Sequence, residues 1–376
     1  MEHKKIVFVA NTSWYLYNFR LSLLKEMVAN GWKVFAIAPQ DKYSQYFEIH
    51  GISFVRLIIS RRGINPFKEL LTIWRIYVIY KRIQPDFIHH FTSKVVIYGS
   101  FAARLAGIKN VVSSITGLGY AFINKGILHF IVRAMYKVAF QGVSQVIFQN
   151  SNDKEMFLRY KLISPKKVYL VKGSGVNTEY FTSPVNGNRL NDNITFALIS
   201  RMLWDKGVGE FVEAAKSTKR NLPTVKFLLV GSPDYGNPNT VPEKFLKDQN
   251  ANGCIEWIEH VDDVKPFIVK SDVVVLPSYR EGLPKVLLEA ASCGRAIVAT
   301  DVPGCREIVE HGINGLLVPP KDVNSLAEAM LKLAKDPGLR LQMGQNGRKK
   351  VLREFDDKIV IKKTMEIYKK VGSQFF

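Results

Sequence analysis

Short apolar runs alternate along the chain with longer segments in which apolar residues recur every three or four positions. Uninterrupted runs of about four to eight apolar residues are typical of parallel strands that are buried on both faces. The clearest runs are 5–10, 33–38, 54–59, 87–90, 111–115, 194–200, 226–231, 273–277 and 296–299. Strand, loop, helix and strand in repetition predict the α/β class with doubly wound sheets.

The segment that follows Asn65 is predicted to be a helix starting at Pro66. Its large apolar residues recur at spacings of three and four, which predicts a stripe that packs on the core. The stripe consists of Phe67, Leu70, Leu71, Trp74, Tyr77 and Val78. Other apolar residues widen it beyond one face, and Lys and Arg residues surround it. Two interpretations therefore stay open, a well-buried helix with solvated ends or a helix partly buried in lipid.

A second helix, predicted over 124–140, has a basic residue at every fourth position. The stripe consists of Lys125, His129, Arg133 and Lys137. Residues four apart lie on one face of a helix, so these cations repel one another. Such a stripe is either a solvated face or the face of a helix that docks on an anionic surface.

Charge is distributed unevenly along the 376 residues, whose net charge is +20. Residues 1–190 contain 26 Lys and Arg against 9 Asp and Glu, whereas the remainder contains 27 against 24. This asymmetry predicts that the first half meets nucleic acid or an anionic membrane leaflet. No zinc-finger or helix-turn-helix pattern is present, and aromatic and basic residues do not alternate on strands, so we expect no nucleic acid.

Cysteine usage and hydropathy bear on the compartment. The three cysteines have no metal-ligand spacing, which favours a reducing cytosol. The apolar run at 6–10 is too short for a signal-peptide core, and no window is long enough to span a membrane. We therefore expect a cytoplasmic protein without a structural metal.

The stretch 273–304 carries the clearest candidate chemistry. A strand is followed by a loop with Glu281 and Gly282, a helix that starts at Pro284 and contains Glu289, and a second strand. Free amides and the dipole make a helix N-terminus favourable for phosphate, and Gly282 permits close backbone approach. Carboxylates beside a phosphate site are suited to accept hydrogen bonds from sugar hydroxyls. Together these features predict a nucleotide-sugar site.

Further candidates follow other strands, where ligands of α/β proteins collect. Arg201 and Lys206 follow the strand at 194–200 and could neutralise a diphosphate. Thr116 and Gly117 follow the strand at 111–115, and Lys94 follows the strand at 87–90. His89 and His90 are adjacent on that last strand and so point to opposite faces. We expect one of them in the core and the other at the ligand-binding edge.

These motifs resemble those of the retaining glycosyltransferases of family 4. The resemblance rests on Glu281 and Glu289 with seven residues between them, and on the segments that surround them, Leu276-Pro277-Ser278, Cys293-Gly294 and Pro303-Gly304. In the first half it rests on Tyr17-Asn18-Phe19-Arg20, Asn65-Pro66-Phe67 and Gly117-Leu118-Gly119, which are similar to members that extend glycans on diphospho-undecaprenol.

The resemblance implies the GT-B fold, in which two Rossmann-like, doubly wound domains face each other across a cleft. The first domain would span 1–182 and the second 183–356, with a polar linker over 183–193. A final helix within 357–376 would return to the first domain.

The resemblance also implies transfer of a sugar, such as an N-acetylhexosamine, from a UDP-sugar to an undecaprenyl-diphosphate-linked acceptor with retention. Arg201, Lys206 and the amides of Gly282 and Leu283 would hold the diphosphate. Glu281 would bind the transferred sugar and Glu289 the ribose. No cofactor or metal is implied. The enzyme would serve surface-glycan or N-glycan assembly, peripherally on the inner face of a bacterial cell membrane.

This chain departs from the family at two loops. Asn11-Thr12-Ser13 stands where members carry glycines, and Thr116 with Gly117 stands where many have a donor-binding histidine. The acceptor or the membrane would meet basic residues of the first domain, for which the candidates are Arg20, Lys94, Lys125, Arg133 and Lys137. The alternatives are a nucleotide-sugar epimerase or phosphorylase of the same fold, or a nucleic-acid-binding protein with a basic first domain.

Overall fold

Two parallel sheets organise the chain. The structure is a computed structural model that describes residues 4–60, 65–117, 126–183 and 194–375. The chain divides into a first unit, Met1–Ser174 with Lys358–Phe376, and a second unit, Gly175–Asp357. Each unit has its own sheet and its own hydrophobic cores.

The first unit contains a seven-stranded sheet in which every neighbouring pair is parallel. Its strands are β1 (Lys5–Val9), β2 (Lys33–Ala38), β3 (Ile52–Arg56), β4 (Phe87–Phe91), β5 (Val111–Ile115), β6 (Gln145–Phe148) and β7 (Val168–Leu170). The spatial order is β3-β2-β1-β4-β5-β6-β7. The order reverses between β1 and β4, which is the position where ligands of such sheets bind.

Helices cover both faces of this sheet. They are α1 (Ser13–Ala29), α2 (Pro66–Ile83), α3 (Ser93–Ala106), α4 (Ile127–Ala139), α5 (Ser151–Arg159) and α13 (Asp357–Val371). Buried residues of α2, α3 and α4 share one core with Val7 and Val9 of β1. Buried residues of α1 and α13 share another core with Ile6 and Phe8. Because successive strand residues face opposite sides, α2, α3 and α4 form one layer and α1 and α13 the other.

The second unit contains a six-stranded parallel sheet in the order β10-β9-β8-β11-β12-β13. Its strands are β8 (Thr195–Ile199), β9 (Lys226–Val230), β10 (Glu256–Ile258), β11 (Val273–Leu276), β12 (Ala296–Thr300) and β13 (Leu316–Val318). Its helices are α6 (Val208–Asn221), α7 (Glu243–Ala251), α8 (Lys265–Lys270), α9 (Lys285–Ser292), α10 (Pro303–Ile308), α11 (Val323–Lys335) and α12 (Pro337–Glu354).

The boundary between the units lies at Gly175, eight residues before the predicted one. Val176 explains the difference, because its amide donates to Phe355 O at 3.0 Å and its carbonyl accepts from the Asp357 amide at 3.0 Å. The polar linker lies almost wholly outside the described residues, at 184–193. Helix α13 belongs to the first unit, where a hydrogen bond of 2.5 Å joins the Tyr368 hydroxyl to His89 Nδ1.

The predicted core stripe of α2 lies on the exposed side of the helix. Phe67, Leu70, Leu71, Trp74 and Val78 are all exposed, and Tyr77 is half-buried. The face that packs on the core instead carries Ile76, Tyr80 and Ile83. The prediction of a core stripe is therefore wrong. The helix has two apolar faces, and spacing alone does not say which of them finds a partner.

The basic stripe of α4 is not one continuous exposed face. His129 is buried, and the Arg133 guanidinium lies 3.7 Å from the centroid of the Tyr160 ring. Lys137 is exposed, and Lys125 lies outside the described residues. These positions border the buried side of the helix, where Tyr136 packs, so contacts with the core withdraw part of the stripe from solvent.

Both strand histidines lie in the core, so the expectation that one would reach the ligand-binding edge is wrong. They do point to opposite faces. His89 Nε2 hydrogen-bonds the Ser114 hydroxyl at 2.7 Å, and His90 Nε2 hydrogen-bonds the Tyr80 hydroxyl at 2.8 Å. Burial lowers the pKa of His90 to about 3, which keeps this imidazole neutral at physiological pH.

Candidate functional site

The candidate site lies at the carboxyl edge of the second sheet. Strands β8 and β11 are neighbours there, and the strand order reverses between them. The loops that follow the two strands, 200–207 and 277–284, therefore emerge side by side. Open α/β sheets bind ligands in the crevice at such a reversal.

Lys206 and Glu281 meet between these loops. Lys206 ends a short 3-10 turn, Trp204–Lys206, and its Nζ lies 2.5 Å from Glu281 Oε1. The lysine side chain is 19% exposed and the glutamate side chain 11%. A pair with so little exposure is screened only weakly by salt. The structure thus brings together two of the predicted site residues that are far apart in sequence.

The two loops are held together beneath this pair. The Tyr279 amide donates to Asp205 O at 2.9 Å, and the Tyr279 hydroxyl donates to Glu210 Oε1 at 2.6 Å. Burial, together with the nearby Glu210 carboxylate, raises the pKa of Tyr279. Gly207 has a φ of +73°, and a Cβ atom there would overlap the carbonyl oxygen of Pro277. Only glycine allows the loops to approach this closely.

The N-terminus of α9 follows the 277–284 loop, where the predicted phosphate site would lie. The helix begins at Lys285, one residue later than predicted, because Pro284 occupies the N-cap position. Within the described part of the chain no side chain caps this end, and its first turn contains no acid. Gly282 and Leu283 precede it, and a Cβ atom at Gly304 would overlap the Gly282 carbonyl. The segment around Gly304 therefore packs directly against the backbone that would approach a phosphate.

Glu289 lies inside α9 and pairs with a different cation from Glu281. Lys285 Nζ is 3.7 Å from Glu289 Oε1, and the glutamate is buried. Burial raises the pKa of Glu289, Lys285 offsets part of this effect, and Asp263 adds to it. Lys285 was not among the predicted site residues, although its position four residues before Glu289 is the spacing of a helical ion pair.

Arg201 follows β8 as predicted, but its guanidinium forms an ion pair with a carboxylate of the protein. Its Nη1 lies 2.7 Å from Oδ2 of Asp234, in the loop after β9. The arginine side chain is 53% exposed, whereas the Asp234 side chain is 13% exposed. Asp234 was also missed, and its place just after a strand is the signal that could have identified it.

Four candidates of the first unit, Arg20, Lys94, Thr116 and Gly117, lie around the ends of β4 and β5. Arg20 is buried, donates to the Tyr15 hydroxyl at 3.1 and 3.0 Å, and lies 4.6 Å from the centroid of the Phe91 ring. No carboxylate pairs with Arg20 among the described residues. The Thr116 side chain lies near Tyr15 as well, and Gly117 O accepts from the Ser93 hydroxyl at 3.4 Å. This burial excludes Arg20 from membrane contact but leaves it a candidate for an anionic acceptor.

Lys94 does not offer a free charge. Its Nζ lies 2.7 Å from Glu69 Oε1 and donates to Ser60 O at 3.1 Å. Its position in the first turn of α3 agrees with the predicted place after β4. A substrate anion would have to compete with Glu69 for it.

The described residues contain neither a candidate metal cluster nor a helix that could span a membrane. No group of three or more His, Cys, Asp or Glu residues in this part of the chain could hold a metal ion. Within the same residues, no helix combines the length and the hydropathy that are needed to cross a membrane.

Comparison with known proteins identifies the family. The profile for glycosyl transferases group 1 matches residues 182–350, and the profile for glycosyl transferase 4-like proteins matches residues 5–150. The chain is 30% identical to the Campylobacter jejuni N,N'-diacetylbacillosaminyl-diphospho-undecaprenol alpha-1,3-N-acetylgalactosaminyltransferase, over 98% of this chain and 99% of that one. It is 26% identical to the Escherichia coli UDP-Gal:alpha-D-GlcNAc-diphosphoundecaprenol alpha-1,3-galactosyltransferase, over 82% and 81%.

Solved structures establish the fold. Anabaena HepE, crystallised with UDP and glucose, matches with a TM-score of 0.80 at 18% identity over 97% of this chain and 99% of that one. Sucrose-phosphate synthase from Thermosynechococcus elongatus matches with a TM-score of 0.79 at 20% identity over 99% and 100%. The predicted GT-B fold, built from two Rossmann-like domains, is confirmed. Together with the matches in sequence, these findings show that the chain belongs to the group 1 glycosyl transferases and is a glycosyltransferase.

Proposed function

We propose that this glycosyltransferase moves an N-acetylhexosamine from a UDP-sugar to an undecaprenyl-diphosphate-linked acceptor, with retention, in bacterial surface-glycan or N-glycan assembly. The observation that carries the proposal is the end-to-end similarity to the Campylobacter jejuni enzyme, whose name specifies transfer of N-acetylgalactosamine to a diphospho-undecaprenol carrier. The Escherichia coli relative, whose name specifies a UDP donor and the same type of carrier, adds support.

On the donor side, the Lys206–Glu281 pair would exchange partners. When a UDP-sugar enters, Lys206 would turn from the Glu281 carboxylate to the diphosphate, and Glu281 would be left to accept hydrogen bonds from the sugar. Lys206, Arg201 and the amides of Gly282 and Leu283 would then stabilise the charge that grows on the leaving phosphate. For Arg201 this requires release from Asp234. Glu289, held by Lys285, would bind the ribose.

In the transfer itself, the bond from the sugar C1 to the phosphate oxygen breaks, and a bond from C1 to the acceptor oxygen forms on the same face. The acceptor hydroxyl gives its proton to the departing phosphate. Because protein cations would supply the counter-charge, we propose that no metal takes part. Activity unchanged by a chelator is the expected result.

On the acceptor side, Arg20 is a candidate for the carrier diphosphate. Among the residues that the structure describes, this buried guanidinium pairs with a phenol oxygen and aromatic rings and with no carboxylate, so it keeps an attraction for anions that a carboxylate partner would remove. Thr116 and Gly117, close to the same group, would meet the sugars of the donor or the acceptor. The enzyme would work peripherally on the inner face of the membrane, where the carrier is held.

The test is an assay of the purified full chain with a panel of UDP-hexoses and UDP-N-acetylhexosamines, with and without an undecaprenyl-diphosphate-linked acceptor. The expected result is an acceptor-dependent release of UDP with an N-acetylhexosamine donor and an α-linked product by NMR. Conversion of the UDP-sugar to an epimer without acceptor would show an epimerase. Sugar release that depends on inorganic phosphate would show a phosphorylase.

A further inference from the structure

We propose that the outward faces of α2 and α4 form one surface that docks on an anionic lipid leaflet. The surface comprises the exposed apolar residues of the two helices and the basic residues at their borders. This proposal rests on the peripheral membrane location in the proposed function and names the surface responsible, and it can be tested without donor or acceptor.

Helix α2 supplies the larger part of this docking surface. Its exposed apolar residues are Phe67 (83% exposed), Leu70 (63%), Leu71 (45%), Trp74 (59%) and Val78 (45%). Their spacings of three, four and seven place them on one side of the helix, opposite the core-facing Ile76 and Tyr80. From Phe67 to Val78 this face extends about 16 Å along the axis. Single exposed apolar residues are ordinary, whereas a contiguous row of this kind marks an interaction surface.

Helix α4 extends the same surface. Phe130 is 66% exposed, Ile131 50% and Val138 44%, and the exposed Lys137 borders them. Helices α2 and α4 both pack on α3, in the layer that lies on one face of the first sheet. Their apolar rows therefore face outward from the same side of the unit. On α4 the proposed docking surface therefore consists of this apolar row and the bordering Lys137, and not of the whole predicted basic stripe.

The charge around the apolar rows selects an anionic lipid as the partner. Lys68, Lys81 and Arg82 of α2 are exposed, and the single acid of that helix, Glu69, points inward and pairs with Lys94. An amphipathic helix with Trp, Phe and Leu on one face and Lys and Arg beside them is typical of helices that lie in a membrane interface.

The two units differ strongly in net charge. The first unit contains 30 Lys and Arg against 9 Asp and Glu, a net charge of +21, whereas the second contains 23 against 24, a net charge of −1. A second copy of so cationic a unit would be repelled, whereas an anionic leaflet attracts it. Nucleic acid would also be attracted, but a phosphate backbone would not bury a row of exposed Phe, Leu and Trp side chains.

The experiment measures binding of the purified full chain to vesicles of phosphatidylcholine, with and without phosphatidylglycerol, by co-sedimentation over a range of salt. The apolar variant is Phe67→Ser with Trp74→Ser, and its control is Ile49→Ser, which removes an apolar side chain that is 76% exposed elsewhere in the same unit. The charge variant is Lys81→Glu with Arg82→Glu. Its control is Lys362→Glu with Lys363→Glu, at exposed residues of α13 in the opposite layer.

Wild-type protein is expected to sediment with the anionic vesicles and not with phosphatidylcholine alone. Because each change reverses a charge, the charge variant should bind at least about fivefold more weakly for each residue changed at low salt, and the difference should shrink as salt rises. The apolar variant should lose at least tenfold in affinity for the anionic vesicles, and both controls should bind as wild type does. Melting temperatures near that of wild type would show that the variants are folded.

Equal binding of the apolar variant and wild type to the anionic vesicles would overturn the proposal. Duplex DNA that removes wild-type protein from the vesicles at equal phosphate concentration would do the same, in favour of a nucleic-acid partner. A wild-type dimer that the apolar variant converts to a monomer would also overturn it. Because the vesicles hold neither donor nor acceptor, none of these outcomes can be confused with failure of the proposed transfer.

Discussion

Lys206 and Glu281 each neutralise the other while no donor is bound, so the lysine must give up one anion to gain another. Its contribution should therefore appear mainly in the transition state, when charge grows on the phosphate. Lys206→Ala is expected to lower kcat about a hundredfold while the protein remains folded. The measurement is UDP release at saturating donor.

The matched control for this variant is Lys216→Ala. Lys216 also pairs with a glutamate, Glu213, at 2.7 Å, but this pair is exposed on α6. The control should leave turnover unchanged. A Lys206→Ala enzyme with turnover close to that of wild type would remove the lysine from the proposed phosphate site.

Substitution of the two site glutamates should affect UDP binding differently. Glu289→Ala should weaken UDP binding because it removes the proposed ribose contact. Glu281→Ala should not weaken UDP binding, because its proposed partner is the sugar and Lys206 no longer has to leave a carboxylate, but it should impair transfer. Calorimetric titration with UDP distinguishes the two, and equal losses of affinity would contradict this division of roles.

Glu289 should also leave a signature in the pH dependence of stability. Its pKa is raised in the folded protein, so the native state holds the proton more tightly than the unfolded chain does. The stability from this group is therefore full below the unfolded pKa of about 4.3 and is lost as pH rises through the folded value.

Glu289→Gln should remove this dependence. Relative to wild type, the variant should gain in free energy of unfolding as pH rises from about 4.3 toward neutrality. Denaturant unfolding at a series of pH values measures the difference. The control is Glu213→Gln, which removes the carboxylate of an exposed glutamate and so shows the effect of losing a carboxylate that is not buried. Curves for Glu289→Gln and wild type that stay parallel would refute the expectation.

At the scale of elements, apolar runs predicted the strands well because buried parallel strands have no polar face. Helices were harder. Helix α3 was missed because it is buried on nearly every side, from Val95 to Ser100, so its sequence lacks an amphipathic period. Helix α7 was missed for the opposite reason, since Leu246 is its one buried residue. In α2 the period was recognised, but its core face was assigned wrongly because both faces are apolar.

The contact between the loops of the candidate site is an element-scale feature with its own test. Gly207→Ala would place a methyl group against Pro277 and part the two loops, which should separate Lys206 from Glu281. We expect loss of stability and of most activity. Gly253→Ala is the control, because Gly253 has a similar φ of +66° but no heavy atom within 4 Å of the added Cβ.

Activity assays and denaturant unfolding of the two glycine variants give the comparison. Both variants bear the strain of a left-handed backbone conformation, which costs about 1 kcal/mol or more for a residue with a side chain. Both variants should therefore lose stability from this strain, but only Gly207→Ala should also lose activity. Equal behaviour of the two would mean that the loops tolerate separation.

At the scale of the whole molecule, the net charge of +20 belongs entirely to the first unit. Transfer to a long-chain acceptor in anionic vesicles should therefore fall steeply as salt rises, because attraction to the leaflet is screened. Transfer to a short-chain, water-soluble acceptor should change little. Rates for the two acceptors at matched salt concentrations provide the test, and parallel decline would indicate that salt acts on the site itself.

The sequence predicted the part of the site that is local in the chain, but not the contacts between distant segments. Glu281, Gly282, Leu283 and Glu289 lie within one strand-loop-helix segment, so their neighbourhood followed from local pattern. The Lys206–Glu281 pair joins residues 75 positions apart, and Asp234 reaches Arg201 from another strand. Such partners are set by the order of strands in the sheet, which periodicity does not encode.

The assignment of α13 to the first unit has a consequence for synthesis. Val360, Ile367 and Tyr368 complete a core with α1, yet the ribosome makes them only after all 183 residues of the second unit. At about 5–20 residues per second, the gap lasts roughly ten to forty seconds. During that time Trp32 and Phe87, which later contact this end of the chain, lack their final cover. The nascent first domain should thus be a client for chaperones until the last helix emerges.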